Sequence, residues 1–234
     1  MTPNITDMRD AAEAAIYGGA DAISAINTIK SITNVDLNNL VPQPAVNEKS
    51  AVGGYSGRAV KPIALRFISD LANDKNINNK HISGMGGIYT WKDTVEFLLL
   101  GAGSLQVTTS VMEYGYRIID DLILGLKIYM KENEISSIKD IKGKSCSHLV
   151  DASDLERDTI LLPRINHEKC IGCGRCYISC MDGGHQAITF DKEEREPKID
   201  VSKCVGCHLC KLVCPMNAIE TAEKRITRNK ENIK

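Results

Sequence analysis

Two cysteine runs near the C-terminus constrain this chain more than any other feature of its sequence. Both have the spacing C-x2-C-x2-C-x3-C, the first over residues 170–180 and the second over residues 204–214. At this spacing, three thiolates bind one four-iron, four-sulfur cluster and the fourth cysteine binds the neighbouring cluster. We therefore expect a small module that holds two [4Fe-4S] clusters and transfers one electron at a time.

The crossed pattern divides eight of the nine cysteines into two sets of four ligands. The first cysteine set is Cys170, Cys173, Cys176 and Cys214, and the second cysteine set is Cys204, Cys207, Cys210 and Cys180. Two zinc sites or a disulfide framework are the alternatives. Zinc knuckles use paired C-x2-C units and leave the remaining cysteines unexplained. Crowding of the cysteines into one short region also favours metal over disulfides.

The cysteine runs belong to an internal repeat. Each is followed by a similar short segment, at residues 186–190 and at residues 217–220. This arrangement is typical of a small α+β ferredoxin domain of the bacterial 2[4Fe-4S] type, which we place at residues 164–220. Residues 132–163 are interpreted as a linker, and residues 221–234 as a solvated tail.

The first part of the chain, residues 1–131, alternates helix-like and strand-like segments. Apolar residues at helical spacing predict helices at residues 6–17, 59–72, 91–100 and 116–130. Short apolar runs predict strands at residues 20–26, 81–83 and 104–108. This βα order implies a parallel sheet.

These units are too few for a whole barrel. A (β/α)8 barrel takes about 250 residues, so we expect residues 1–131 to form only the C-terminal half of a TIM-type barrel. The strands would then have an uncovered interior face. We expect four apolar residues on that face: Ile23, Ile26, Ile82 and Val107.

A phosphate-binding corner is suggested by two turns. Gly86 and Gly87 precede a predicted helix, and Thr108 and Thr109 end the next predicted strand. In TIM barrels, phosphate sites lie after the last two strands, at the start of a short helix. A Gly-Gly turn alone is also found in ordinary loops. The prediction of a phosphate site therefore depends largely on the adjacent threonines.

Charge and hydropathy exclude other function classes. The 29 Lys and Arg residues nearly cancel the 30 Asp and Glu residues, which leaves a net charge of -1. Such a chain has no long-range attraction for nucleic acid or an anionic membrane. Its apolar runs are far shorter than the ~20 residues needed to cross a bilayer. We expect a cytoplasmic protein.

Several segments resemble dihydropyrimidine dehydrogenases, in their bacterial two-subunit form, over essentially the whole chain. They are residues 2–7, 27–28, 53–57, 62–65, 86–87 and 106–108, followed by the cysteine runs. The resemblance implies an FMN barrel related to dihydroorotate dehydrogenase, fused to a ferredoxin domain. It also implies a PreT-like partner subunit that contains FAD and oxidises NAD(P)H.

Site residues follow from this resemblance. Cofactor contacts are implied for five residues around FMN: Gly54, Gly86, Gly87, Thr108 and Thr109. Asn27 and Thr28 are implied to hydrogen-bond the pyrimidine, since an amide side chain both donates and accepts, as the uracil edge requires. The alternative for Asn27 and Thr28 is a polar strand end that caps the following turn.

The chain departs from the family at two places. The family has a lysine just before the Thr-Pro-Asn segment, where this chain has Met1. The cysteine that serves the family as general acid lies upstream of Met1, so no catalytic residue is predicted within this chain. Cys146 lies in the predicted linker and is interpreted as an ordinary thiol. We expect the missing barrel half, or a homo-oligomer, to complete the site.

The implied function is the reduction of uracil or thymine to 5,6-dihydropyrimidines. Electrons from NAD(P)H would pass through the clusters to FMN. The alternative is a ferredoxin-type electron carrier without substrate turnover of its own. Flavin content would separate the two functions.

Overall fold

The computed structural model describes residues 1–155 and 159–227. The chain divides into two compact units, Met1–Val150 and the part that begins at Asp151. This boundary falls inside the segment interpreted as a linker.

The first unit contains seven strands and five helices in its described residues. In chain order they are α1 Arg9–Tyr17, β1 Ala22–Ala25, β2 Ile29–Ser31, β3 Asn34–Asp36, β4 Val41–Gln43, β5 Gly53–Tyr55, α2 Lys61–Asn73, β6 His81–Met85, α3 Trp91–Leu99, β7 Ser104–Gln106, α4 Thr109–Tyr114 and α5 Arg117–Glu132. Short 3-10 turns lie at Arg58–Val60, Ile138–Asp140 and Cys146–His148.

A parallel sheet of order β1-β6-β7 forms the centre of this unit. Ile23 pairs with Ile82, and Gly84 pairs with Leu105. The small hairpins β2-β5 and β3-β4 lie between β1 and α2, where the sequence predicted no strands. The predicted order of parallel strands and connecting helices is therefore present.

The core lies between the sheet and its helices. Phe67 and Leu71 of α2 and Phe97 of α3 are almost fully buried there. A Cβ atom at Gly84 would lie 2.7 Å from Cδ1 of Phe97. Only glycine therefore lets the central strand approach α3 this closely.

The prediction that apolar residues occupy the uncovered face of the sheet is wrong. Ile23, Ile26 and Ile82 were expected on the uncovered interior face, but they are buried in the core against the helices. Val107 is half-buried and packs against the same core. Side chains alternate along a strand, so Ser24, which follows Ile23, and Ser83, which follows Ile82, point to the other face.

That open face is polar. Nε2 of Gln106 donates hydrogen bonds of 2.8 Å to the hydroxyls of both Ser24 and Ser83. The hydroxyl of Ser104 donates to that of Ser83 at 3.0 Å, and the ring of His81 contacts Ser104 at 2.8 Å. Polar side chains thus link all three strands on the side away from the core.

The segment after α5 packs on the first unit. The backbone nitrogen of Gly143 donates to the carbonyl of Leu98 at 2.9 Å, and that of Ser145 donates to Leu99 at 3.0 Å. Ile141 is buried. Residues up to Val150 therefore belong to this unit, although the sequence suggested a linker from residue 132.

Cys146 lies in this segment and is half-buried. A Cβ atom at Gly101 would lie 3.7 Å from its Sγ atom. Burial raises the pKa of the Cys146 thiol. The thiol is therefore mostly protonated near neutral pH and weakly nucleophilic, which fits the interpretation of an ordinary thiol.

The second unit is a twofold repeat. Its elements are β8 Thr159–Ile165, α6 Arg175–Asp182, β9 Ile188–Asp191, β10 Glu196–Ile199, α7 Leu209–Leu212 and β11 Ile219–Thr227. β8 pairs with β11 and β9 pairs with β10, both antiparallel. Gln186 and Asn217, which precede β9 and β11, both have a φ of 49°. The repeat in the sequence is therefore also a repeat of backbone conformation.

The β8–β11 pair extends beyond the bounds set from the sequence. The structure pairs Thr159 with Thr227, whereas the sequence placed the module at residues 164–220 and a solvated tail after it. Residues 221–227 are part of a strand because their backbone groups pair with β8. The rest of the predicted tail, residues 228–234, lies outside the described residues. Within the described ranges, no helix is long and apolar enough to cross a membrane.

Candidate functional site

A cavity of about 310 Å³ lies at the carboxyl ends of the three parallel strands. Six of the seven substrate and cofactor residues predicted in this unit line it: Asn27, Thr28, Gly86, Gly87, Thr108 and Thr109. They follow β1, β6 and β7 directly. This is the end of a parallel sheet at which α/β proteins bind ligands.

The glycine turn after β6 packs closely against the start of α2. Gly86 and Gly87 have φ values of +121° and +77°, which L side chains rarely adopt. A Cβ atom at Gly87 would lie 2.8 Å from the backbone nitrogen of Lys61 and 3.0 Å from the carbonyl oxygen of Gly57. Two glycines are thus required here by both conformation and space.

Asp93 holds this turn in place. Its Oδ2 accepts hydrogen bonds from the backbone nitrogens of Tyr89 (2.9 Å) and Thr90 (2.7 Å), and from the Thr90 hydroxyl. Its Oδ1 accepts from Nζ of Lys61 at 2.6 Å. Burial alone would raise the pKa of Asp93, but Lys61 and the backbone donors outweigh it and lower that pKa.

The charge of Lys61 is neutralised within the same cluster. Its Nζ donates to Glu96 at 2.9 Å as well as to Asp93. Burial opposes the ammonium form, but the two carboxylates raise the pKa of Lys61 overall. Lys61 is therefore a positioning residue for the turn, and its charge is already paired.

Ser110 was not predicted from the sequence, yet it lines the cavity. Its hydroxyl is buried and has no hydrogen-bond partner among the described residues. A buried polar atom without a partner costs about 1–3 kcal/mol, so a bound acceptor would stabilise it. In sequence, Ser110 is only one residue beyond the predicted Thr108–Thr109 corner.

The cavity fits a phosphate group held without a cation. The described residues that line it carry no formal charge. Hydroxyls lie at Thr108, Thr109, Ser110 and Ser56, and the Thr109 hydroxyl donates to Ser56 at 3.1 Å. Backbone N–H groups and hydroxyls are the usual phosphate ligands at such corners.

Tyr89 forms one wall of the cavity. Its hydroxyl donates to Oε1 of Glu113 at 2.6 Å, and the Arg58 guanidinium stacks 3.9 Å from its ring centre. Burial, together with the Glu113 carboxylate, raises the pKa of Tyr89 to about 12. Tyr89 therefore stays protonated near neutral pH and is poorly suited to act as a base.

Asn27 and Thr28 lie at the exposed rim. Oδ1 of Asn27 accepts from the backbone nitrogen of Thr28 at 2.7 Å. This contact agrees with the alternative of a polar strand end that caps the next turn. Both residues also line the cavity, so a substrate role stays a prediction.

Gly54 lies differently from the other predicted residues. It pairs with Lys30 across the β2–β5 hairpin, and a Cβ atom on it would lie 2.6 Å from Cβ of Thr28. Among the described residues, the cavity is lined by the nearby Gly57 rather than by Gly54. A flavin contact for Gly54 stays a prediction.

Each cysteine set surrounds its own cavity in the second unit. One cavity is lined by Cys170, Cys173, Cys176 and Cys214, and the other by Cys180, Cys204, Cys207 and Cys210. In both cases the fourth cysteine comes from the other run of the repeat. The structure thus brings together the same groups of four that the sequence spacing predicts.

The cysteine cavities have the chemistry of iron–sulfur sites. Backbone nitrogens of Ala187 and Ala218 donate to Sγ of Cys180 and Cys214, both at 3.3 Å. Burial raises the pKa of Cys210 to about 11. Its thiolate therefore requires a compensating cation, which cluster iron would supply. Thiolates in an apolar setting with amide donors fit [4Fe-4S] clusters.

Both units match known protein families. Residues 1–130 match the dihydroorotate dehydrogenase family, and residues 163–221 match a 4Fe-4S dicluster domain. A solved structure of ligand-free dihydroorotate dehydrogenase from Eimeria tenella is similar, with a TM-score of 0.50 and 26% identity. That match covers 62% of this chain and 38% of the solved chain.

Curated relatives are similar at higher identity. The NAD-dependent dihydropyrimidine dehydrogenase subunit PreA of Escherichia coli K12 is 53% identical over 99% of this chain and 56% of its own length. The chloroplastic dihydropyrimidine dehydrogenase (NADP+) of Arabidopsis thaliana is 39% identical over 66% of this chain and 37% of its own. The catalytic subunit of dihydroorotate dehydrogenase B (NAD+) of Pyrococcus abyssi is 45% identical over 61% of this chain and 45% of its own length. This chain spans about half the length of the curated relatives it matches most fully.

Proposed function

The chain belongs to the dihydroorotate dehydrogenase family, and we propose that it forms the cofactor-binding part of an iron–sulfur flavoprotein that reduces pyrimidines. One observation carries this proposal. A single chain combines a neutral cavity with an unpaired buried hydroxyl at Ser110 and two cavities lined by four cysteines each. A flavin site and an electron relay are thus encoded together.

FMN would be held at the carboxyl ends of β1, β6 and β7. The amides of Gly86 and Gly87 and the hydroxyls of Thr108, Thr109 and Ser110 would bind its phosphate. When bound, FMN supplies hydride chemistry that no amino-acid side chain provides. The Asp93 carboxylate keeps the amides of the turn in position, so little reordering is required when the phosphate binds.

Asn27 and Thr28 would orient the substrate. A pyrimidine ring presents alternating N–H and C=O groups, and an asparagine amide can pair with both kinds. The substrate class that we propose is therefore uracil or thymine, reduced to the 5,6-dihydropyrimidine. The PreA name of the E. coli relative, an NAD-dependent dihydropyrimidine dehydrogenase subunit, supports this choice.

Electrons would reach the flavin one at a time through the two clusters. A PreT-like partner subunit with FAD would oxidise NAD(P)H, since the E. coli relative is named as one subunit of an NAD-dependent enzyme. We place the protein in the cytoplasm, where thiolates remain reduced and available to iron.

Anaerobic purification of the chain tests the cofactor content. We expect about eight irons and about eight sulfides per chain from two four-iron clusters, together with bound FMN. Iron and sulfide without any flavin binding would favour an electron carrier instead. Loss of uracil absorbance in the presence of reduced partner subunit would then test the substrate.

A single variant tests the phosphate position. We expect Ser110→Ala to weaken FMN binding about tenfold or more, because hydrogen bonds to charged groups contribute about 1.5–3 kcal/mol. FMN fluorescence quenching measures the affinity. Ser50→Ala is the matched control, since the Ser50 hydroxyl donates to the Pro44 carbonyl and lies outside the cavity. Equal affinities for the two variants would contradict the assignment.

A further inference from the structure

His208 occupies a backbone conformation that histidine rarely adopts. It precedes α7 with a φ of +56°, in the left-handed region. The matching residue of the first repeat is Gly174, which precedes α6 with a φ of +72°. Glycine has no conformational penalty there, whereas a residue with a Cβ atom is strained. A strained non-glycine residue at a cofactor site invites a functional explanation.

His208 is one of the residues that line the cavity of the second cysteine set. Its Nδ1 atom is buried and has no hydrogen-bond partner among the described residues. Together with Ser110, it is one of two such side-chain atoms in the described part of the chain. Because an unpaired buried nitrogen is costly, a partner is expected when the cavity is filled.

The matching position of the first repeat has no ring nitrogen. A Cβ atom at Gly174 would lie 3.5 Å from the Phe190 ring, so the corresponding space is beside an aromatic side chain. The two repeats therefore differ at this position, because the second has an imidazole where the first has a glycine packed beside the Phe190 ring.

We propose that Nδ1 of His208 donates a hydrogen bond to a sulfur of the cluster held by the second cysteine set. This inference rests on the clusters of the proposed function. Hydrogen bonds to cluster sulfurs help to set reduction potentials. Reduction adds one electron to the cluster and breaks no bond, and the N–H group stabilises the added negative charge. The potential of the second cluster is consequently higher with His208 than without it.

Redox titration of the full chain with both clusters tests this difference. Dithionite is the reductant, and electron paramagnetic resonance follows each cluster. His208→Gly copies the first repeat. In this variant the ratio of reduced to oxidised second cluster at a given potential should fall about tenfold. This corresponds to a decrease of about 59 mV in the reduction potential of that cluster for one electron. The potential of the first cluster should not change.

His185 provides the control. His185 lines the same cavity but is an exposed residue. Water therefore competes with the cluster for hydrogen bonds to its ring nitrogens. His185→Ala should leave both potentials unchanged. A fall in both potentials in His208→Gly, or in neither, would overturn the proposal.

A measurement on the unsubstituted chain covers the case in which His208→Gly loses its cluster. With histidine labelled with ¹⁵N in the ring, the reduced second cluster should show coupling to one ring nitrogen. His208→Asn, which tolerates the left-handed conformation, should abolish the nitrogen coupling. Clusters present by iron and sulfide analysis but without nitrogen coupling would refute the role of His208. Absence of clusters would instead refute the proposed function.

Discussion

Removal of the Asp93 carboxylate should destabilise the first unit by about 3 kcal/mol. In Asp93→Ala the buried N–H of Tyr89 loses its acceptor, which costs about 1–3 kcal/mol. Loss of the capping interaction at Thr90 costs about 1 kcal/mol more. The lost ion pair with Lys61 adds less, because the Lys61 side chain is 27% exposed and keeps Glu96 as a partner.

Urea denaturation of the full chain measures this loss. Trp91 is the only tryptophan and begins α3, so its fluorescence reports on the first unit alone. Asp70→Ala is the matched control, since Asp70 forms an ion pair with Arg66 on the surface of α2. That pair should contribute no more than about 1 kcal/mol. If the two variants lost the same free energy of unfolding, Asp93 would not hold the turn as described.

Three further perturbations have defined outcomes. Cys214→Ser should remove the cluster of the first cysteine set while electron paramagnetic resonance still detects the other; loss of only the second cluster would refute the crossed assignment. Gly87→Ala should abolish FMN retention without loss of iron, because its Cβ atom would clash with the start of α2. The control Gly19→Ala, at a φ of +99° in open space, should retain FMN. Equal retention of FMN by the two variants would contradict this packing. The lowered pKa of Asp93 implies stability that is complete above its unfolded pKa of about 3.9 and is lost as pH falls through the lower folded value. Trp91 fluorescence should therefore show a smaller acid-induced loss in Asp93→Asn, and an unchanged acid profile would exclude this carboxylate as a cause.

The positions of most site residues were predictable because they follow from strand order. Gly86 and Gly87 lie in the turn after the predicted strand 81–83, and Thr108 and Thr109 lie at the end of the predicted strand 104–108. The carboxyl ends of parallel strands meet at one edge of a sheet. The comparisons confirm the fold class, a partial flavin barrel followed by a dicluster ferredoxin domain. The cysteine spacing is equally informative, since ligation fixes which residues share a cavity.

Other features depend on packing that local sequence does not specify. Ser110 matters because its hydroxyl is buried without a partner, and burial is a property of the assembled helices. The hairpins between β1 and α2 have strands of three residues each, too short for a clear alternation. The orientation of the sheet was predicted incorrectly, although Ser24 and Ser83 lie between apolar residues and thus indicate which face is polar.

The packing of residues 135–150 decides where this protein can be divided genetically. A cut after α5, where the sequence suggests a domain boundary, would remove the hydrogen bonds that Gly143 and Ser145 donate to Leu98 and Leu99. It would also uncover the apolar surface beneath Ile141. A cut after Val150 keeps those contacts within one fragment. Fragments for expression, for domain exchange between relatives or for fusion to another electron carrier should therefore carry this segment with the first unit.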